Sequence, residues 1–198
     1  TPVKERPSEK EISNDDPIKI ISVGRLIEVK GFDYLIEAAS KVHEIRPLLK
    51  LEYVICGDGP DREELEYKLE NHGLSDLFTI TGWLESDKVN DHLQSSHIYV
   101  HTAKWEPYGV AILEAMASGL PILGSDNTMA VLDRVEHGVT GFIHNTGNID
   151  MLASQIIDMA ENPEKISKMA ISSYETAAKY PVEFGVQELL RFADIKDN

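Results

Sequence analysis

Glu106 and Glu114 lie eight positions apart in the segment Lys104-Trp105-Glu106-Pro107-Tyr108-Gly109-Val110-Ala111-Ile112-Leu113-Glu114-Ala115-Met116-Ala117-Ser118-Gly119-Leu120-Pro121. From Val110 to Ala117 every residue other than Glu114 is apolar or small. A helix that is hydrophobic all round is a buried helix, so the pattern predicts an ionisable group, Glu114, in a dry place. Such a group must be paired or hydrogen-bonded. Two kinds of partner fit: an Arg or Lys in a buried ion pair, or the adjacent hydroxyls of a sugar, which donate to a carboxylate.

A second segment suits a diphosphate. Gly24-Arg25-Leu26-Ile27-Glu28-Val29-Lys30-Gly31 carries two cations with a glycine on each side. Glycine lets backbone approach a ligand closely, and a helix following the loop offers unpaired N–H groups at its positive end. Arg25 can engage phosphate oxygens through two parallel hydrogen bonds, and Lys30 acts as a point charge. The plainer reading is a surface loop whose cations pair with nearby carboxylates. The spacing is neither that of the dinucleotide glycine fingerprint nor that of a Walker loop.

Both segments are placed by alternating strands and helices. Ile18 to Val23 is a β-branched run ending at Gly24, hence a strand. Phe32, Leu35, Ile36, Ala39, Val42 and Ile45 recur at helical spacing. Further strands are predicted at 51–56, 78–81, 98–101, 121–123 and 141–144. Helices are predicted after Asp61, where Asp61 and Glu64 form a capping box and Gly73 a stop, and at 86–95, 110–118, 149–161, 163–179 and 182–193. This alternation predicts an α/β fold, a Rossmann-like open parallel sheet of about six strands with helices on both faces. Ligands bind such sheets beyond the carboxyl ends of the strands, which singles out loops 24–31, 57–60, 81–86, 102–109 and 124–130. Residues 1–17 are Pro-rich and charged and read as a linker, leaving 18–198 as one domain.

Composition sets the outer bounds. The 198 residues suffice for one domain with a proper core. The net charge of −15 argues against a nucleic-acid partner, and an anionic substrate then requires a local cluster of cations. Cys56 is the single cysteine, which excludes an internal disulfide, fits a reducing cytoplasmic setting and reads as a small core residue. No apolar run has the length of a membrane helix, and the N-terminus has no signal-peptide pattern. The chain begins with Thr rather than Met, which reads as a fragment.

Glu-Pro-Tyr-Gly-x4-Glu-Ala-Met-Ala-x-Gly-x-Pro at 106–121 resembles the signature of family 4 glycosyltransferases, retaining enzymes of the GT-B fold. Gly24-Arg25-Leu26-x3-Lys30-Gly31 is similar to their phosphate loop, Gly57-Asp58-Gly59-Pro60 to their second-strand turn, and Glu136 to Phe142 to a later loop. The motifs keep the family's order from about residue 18 to 160. The resemblance implies a nucleotide-sugar-binding domain, one half of a GT-B hexosyltransferase-type enzyme, acting in polysaccharide or glycoconjugate synthesis. By the same resemblance Arg25 and Lys30 hold the donor's diphosphate, with Gly24 beside them, and Glu106 contacts hydroxyls of the transferred sugar. Pro107, Tyr108, Gly109 and Val110 line sugar and phosphate, and Glu114 binds the ribose. Gly57, Asp58, Gly82 and Trp83 border the base. The catalytic contacts are thus Arg25, Lys30 and Glu106, with no metal and no cofactor, the nucleotide sugar being a substrate.

The same resemblance implies a missing N-terminal acceptor domain, a peripheral membrane contact through that domain, and a place in the cytoplasm or at the inner face of the membrane. Alternatives are a stand-alone nucleotide-sugar-binding subunit and a nucleotide-sugar epimerase on the same fold. The chain departs from the family pattern at Ser125 to Asp133, where a Gly-Gly pair is absent, one residue is added and Asp133 stands for the usual Glu. That departure leaves open both close backbone approach to the donor there and the identity of the sugar. His97 and His101 lie about 13 Å apart along the strand expected there and form no metal pair. Trp83 and Trp105 either flank the site or pack.

Overall fold

The computed structural model describes residue 12 and residues 16–180. Six strands, β1 (Ile18–Val23), β2 (Leu51–Cys56), β3 (Phe78–Ile80), β4 (Ile98–His101), β5 (Ile122–Ser125) and β6 (Gly141–His144), form one sheet in the order β3-β2-β1-β4-β5-β6. Every pairing is parallel. The helices are α1 (Phe32–Ile45), α2 (Arg62–Asn71), α3 (Ser86–Ser95), α4 (Val110–Ala117), α5 (Met129–Arg134), α6 (Ile149–Glu161) and α7 (Pro163–Ala177).

Strand periodicity divides the core in two. Alternate residues of a strand face opposite sides. Ile20, Tyr53, Ile55, Ile98 and Val100 accordingly join α1, α2 and α6 in one cluster. Ile21, Val54, Cys56, Tyr99 and Ile122 join α3, α4 and α5 in the other. Helices cover both faces, which is why the strands read as continuous apolar runs rather than as alternation. Chain direction reverses between β1 and β4: from β1 the chain runs outward to β3, then returns to β4 and runs outward the other way. A crevice must open beyond the carboxyl ends of those two strands.

Several sequence expectations need correction. Asp61 precedes α2, but its side chain makes no capping bond, because its backbone (φ −86°, ψ 3°) is already turned rather than extended. The fifth strand is Ile122–Ser125 rather than 121–123. Residues 124–130 are not all loop, since α5 begins at Met129. Ile45, expected on the buried face of α1, is 45% exposed at the helix end. The helix expected at 182–193 lies outside the described residues, as does most of the segment 1–17, of which Ile12 packs against the α1 side of the core. Among the described residues no helix is long and apolar enough to cross a membrane.

Candidate functional site

A cleft of about 270 Å³ opens at the reversal point, lined by Val23, Gly24, Lys30, His101, Glu106, Tyr108, Gly109, Val110 and Ala111. Its two walls come from the two segments singled out by chemistry. The loop after β1 is pinned by Leu26, fully buried, whose N–H donates to the Asp58 carbonyl at 2.9 Å. A short 3-10 turn at Glu28–Lys30 then delivers Lys30 to the cleft. The Lys104 N–H donates to the Val29 carbonyl at 2.8 Å and the Thr102 hydroxyl to the Lys30 carbonyl at 3.3 Å, so this loop is bound to the exit of β4.

Lys30 and Glu106 meet directly: the ammonium donates to Glu106 Oε2 in an ion pair. The Tyr108 N–H donates to the other oxygen, Oε1, at 3.4 Å. Burial pushes the Glu106 carboxyl upward, but the Lys30 ammonium and the amides of Tyr108 and Gly109 outweigh it and hold the group below its ordinary pKa. Glu106 is therefore an anion at neutral pH. The plainer reading of the loop, cations paired with carboxylates, holds for Lys30. It does not hold for Arg25, which is exposed, lies outside the cleft wall and has no side-chain partner among the described residues.

Glu114 is not in a dry place. Apolar composition led to a buried α4, yet Val110 is 64% exposed and Glu114 also faces solvent. The helix packs through Ile112, Ala115 and Met116 with Ala111, Leu113 and Ala117 half-buried beside them, and only Val110 and Glu114 are exposed. Glu114 lies three and four residues after Ala111 and Val110, which places it on their side of the helix, one turn beyond the cleft wall. The surrounding protein still withdraws enough water to raise its pKa, even though the carboxylate reaches solvent.

The expected base-side residues stand beside the cleft rather than in its wall. Gly57 abuts the phosphate loop so closely that a Cβ there would come within 1.9 Å of the Gly24 carbonyl oxygen. Gly57 also bridges to Gly82, so three backbone segments meet with no side chain between them. Asp58 accepts from the Gly59 N–H at 2.8 Å and pairs with Arg62 at 3.4 Å. Pro107 is half-buried and outside the wall. Trp83 and Trp105 are 71% and 63% exposed, so neither packs in the core.

The divergent segment after Ser125 supports Glu106 through its backbone. The Glu106 N–H donates to the Asn127 carbonyl at 3.3 Å, and the Met129 N–H to the Glu106 carbonyl at 3.0 Å. The Ser125 hydroxyl donates to the Ala103 carbonyl at 2.7 Å. Asp133 is exposed and outside the cleft wall.

The sequence reading missed His101 as a cleft residue. It ends β4, is 4% exposed, and its Nε2 has no partner among the described residues. Burial, reinforced by the Lys30 charge, pushes the imidazole down to about 4 against the pull of Glu106. It is neutral at pH 7 and lends the cleft no charge. Its position as the last strand residue before the chemically informative loop was the available signal. His97, its expected non-partner, accepts instead from the Lys19 N–H at 2.8 Å.

Comparison with known proteins fits this geometry. The family model described as glycosyl transferases group 1 matches residues 3–176. An alpha-D-kanosaminyltransferase of Streptomyces kanamyceticus is 30% identical over 89% of the chain and 45% of its own length. The pneumococcal O-GlcNAc transferase solved with UDP and GlcNAc superposes with TM-score 0.79 at 22% identity, over 90% of this chain and 36% of that one. The C-terminal domain of a glycosyl transferase group 1 family protein from Francisella tularensis superposes with TM-score 0.75 at 23% identity, over 84% of this chain and 89% of that domain. The chain spans less than half the length of the curated relatives it matches.

Proposed function

The chain belongs to the glycosyl transferases group 1 family, and on that premise we propose that it is the donor-binding half of a retaining glycosyltransferase that takes its sugar from a nucleoside diphosphate. The observation that carries this reading is the convergence of Lys30 and Glu106 in one cleft at the carboxyl ends of β1 and β4. A cation there meets a diphosphate, and an ionised carboxylate 13% exposed accepts hydrogen bonds from sugar hydroxyls.

In the proposed reaction the bond between the anomeric carbon and the diphosphate oxygen breaks. A bond from that carbon to an acceptor oxygen forms on the same face, the acceptor loses its proton, and the diphosphate leaves. Lys30 and Arg25 stabilise the charge that develops on the leaving oxygens. No metal is required for that task. Glu114 takes the ribose hydroxyls, and the loops at Gly57-Asp58 and Gly82-Trp83 border the base. UDP is the first nucleotide to try, because solved relatives were captured with it. The acceptor site, a further domain preceding this one, any peripheral membrane contact through it and a cytoplasmic setting complete the proposal.

Calorimetric titration with UDP-, GDP- and ADP-sugars tests the reading: one nucleotide class should bind. Indifference to all three at millimolar concentration overturns it. In the protein that carries the acceptor half, Arg25→Ala should lower turnover about 10²–10³-fold, the usual loss for one contact to a developing oxyanion. Unchanged turnover removes Arg25 from the mechanism.

A further inference from the structure

Lys30 and Glu106 are assigned above to opposite halves of the donor, yet the structure pairs them with each other. Their side chains are only 23% and 13% exposed, so the pair is shielded from the solvent that weakens surface ion pairs. Glu106 also draws on the amides of Tyr108 and Gly109 at the start of α4. It occupies, as an internal anion, the positive groups that an incoming diphosphate needs.

Lys30 is the single cation among the residues lining the cleft, and His101 beside it is uncharged at neutral pH. A diphosphate entering while Glu106 remains in place therefore keeps Arg25, outside the cleft wall, but inside the cleft meets a neutralised ammonium and a neighbouring like charge. An intact nucleotide sugar solves this problem, because its sugar hydroxyls can donate to the Glu106 carboxylate in place of Lys30. A bare nucleoside diphosphate brings no such donors to that position.

We propose that Glu106 is a built-in competitor for Lys30: the sugar of an intact donor displaces it, so the cleft favours nucleotide sugar over nucleoside diphosphate, and its return to Lys30 after transfer weakens the hold on the diphosphate product. The proposal rests on the donor-site reading and adds discrimination between substrate and product to it. No new covalent step is involved.

The test is a double-mutant cycle read by calorimetry. The wild type, Glu106→Gln, Lys30→Met and the double variant are titrated with UDP, GDP and ADP and with the corresponding nucleotide sugars. Glutamine keeps the size and the acceptor for the Tyr108 N–H but removes the charge. Glu106→Gln should bind the bare diphosphate on the order of tenfold more tightly, as expected for freeing one partner of a half-shielded pair, and should lose its preference for the sugar-bearing form. In the Lys30→Met background the same change should give no gain. A diphosphate affinity that is unchanged or weaker in Glu106→Gln overturns the proposal. So does an equal gain in the Lys30→Met background, because general repulsion then explains it without Lys30. In both cases wild-type binding of nucleotide sugar leaves the donor-site reading standing, whereas absence of any binding in all four proteins removes both. If Glu106→Gln fails to fold, Glu106→Ser enters the same cycle.

Discussion

Helices α1 and α4 follow the two strands that flank the cleft, and each begins directly after a glycine, Gly31 or Gly109. By composition α4 is the more apolar, with Glu114 its one charged residue. By burial the order is reversed. α1 buries Phe32, Leu35, Ile36, Ala38, Ala39 and Val42 and packs on α6, whereas α4 leaves Val110 and Glu114 in solvent. What covers a helix decides its burial, and apolar content alone does not. α6 covers one flank of α1. α7 and α5 pack on α4, but the flank of α4 that carries Val110 and Ala111 is a wall of the cleft.

The contrast can be broken in four places, from the largest effect on stability to the smallest. Leu35 in α1 is 1% exposed, so Leu35→Ala should cost about 2–5 kcal/mol in denaturant unfolding while leaving nucleotide-sugar affinity unchanged in the folded fraction. A loss under about 1 kcal/mol would show that this face is not tightly packed.

Acid should act next, at the carboxyl ends of β4 and β6. Burial depresses the imidazoles of His101 and His144 to about 4 from an ordinary 6.5. Between those values the unfolded chain binds protons that the folded one refuses, so stability present above pH 6.5 is lost as pH falls toward 4. Each shift corresponds to about 3 kcal/mol. Thermal melts from pH 7.5 to 4.5 should show the decline, and His101→Gln should flatten it. A decline unaltered by His101→Gln contradicts the buried neutral state of that ring.

Gly109 starts α4 with φ 58°, and a Cβ there would lie 2.8 Å from the Ala130 Cβ. Gly109→Ala should cost about 1–3 kcal/mol and should weaken donor binding as well, because the same backbone lines the cleft. Stability and affinity measured on one preparation check this, and a change in only one of them separates the two roles.

Glu114→Gln is the mildest. On the open face of α4 it should alter stability by no more than about 0.5 kcal/mol, yet weaken nucleotide-sugar binding by about tenfold if the carboxylate takes the ribose hydroxyls. Equal affinity in variant and wild type would move the ribose elsewhere.

Local patterns carried the sheet and the two loops that wall the cleft. The β-branched runs at 18–23 and 51–56 and the i, i+3, i+4 spacing after Gly31 each reported a structure formed within a few residues. Lys30 and Glu106 were legible for a related reason: their residue types and flanking glycines state a chemistry that the sheet order then brings together. What was not legible depended on neighbours distant in sequence. The exposure of Glu114 is set by which sides of α4 the helices α5 and α7 cover, not by α4 itself. The cleft position of His101 follows from β4 lying against β1. The α5 helix was masked by reading Ser125 to Asp133 as a family loop without its glycines, although Met129-Ala130-Val131-Leu132 can form a helical turn. Asp61 resembled a cap by residue type, but the tie of its N–H to the Leu26 carbonyl turns the backbone away from capping geometry.

The most direct test of the donor site is a backbone amide spectrum recorded while the protein is titrated with a nucleotide sugar that binds it. Shifts should concentrate at Gly24, Lys30, His101, Glu106 and Gly109 to Glu114, and leave the α1–α6 face at Leu35, Ala39 and Ile156 unmoved. Binding that perturbs the α1–α6 face instead, with the cleft residues silent, would contradict the assignment.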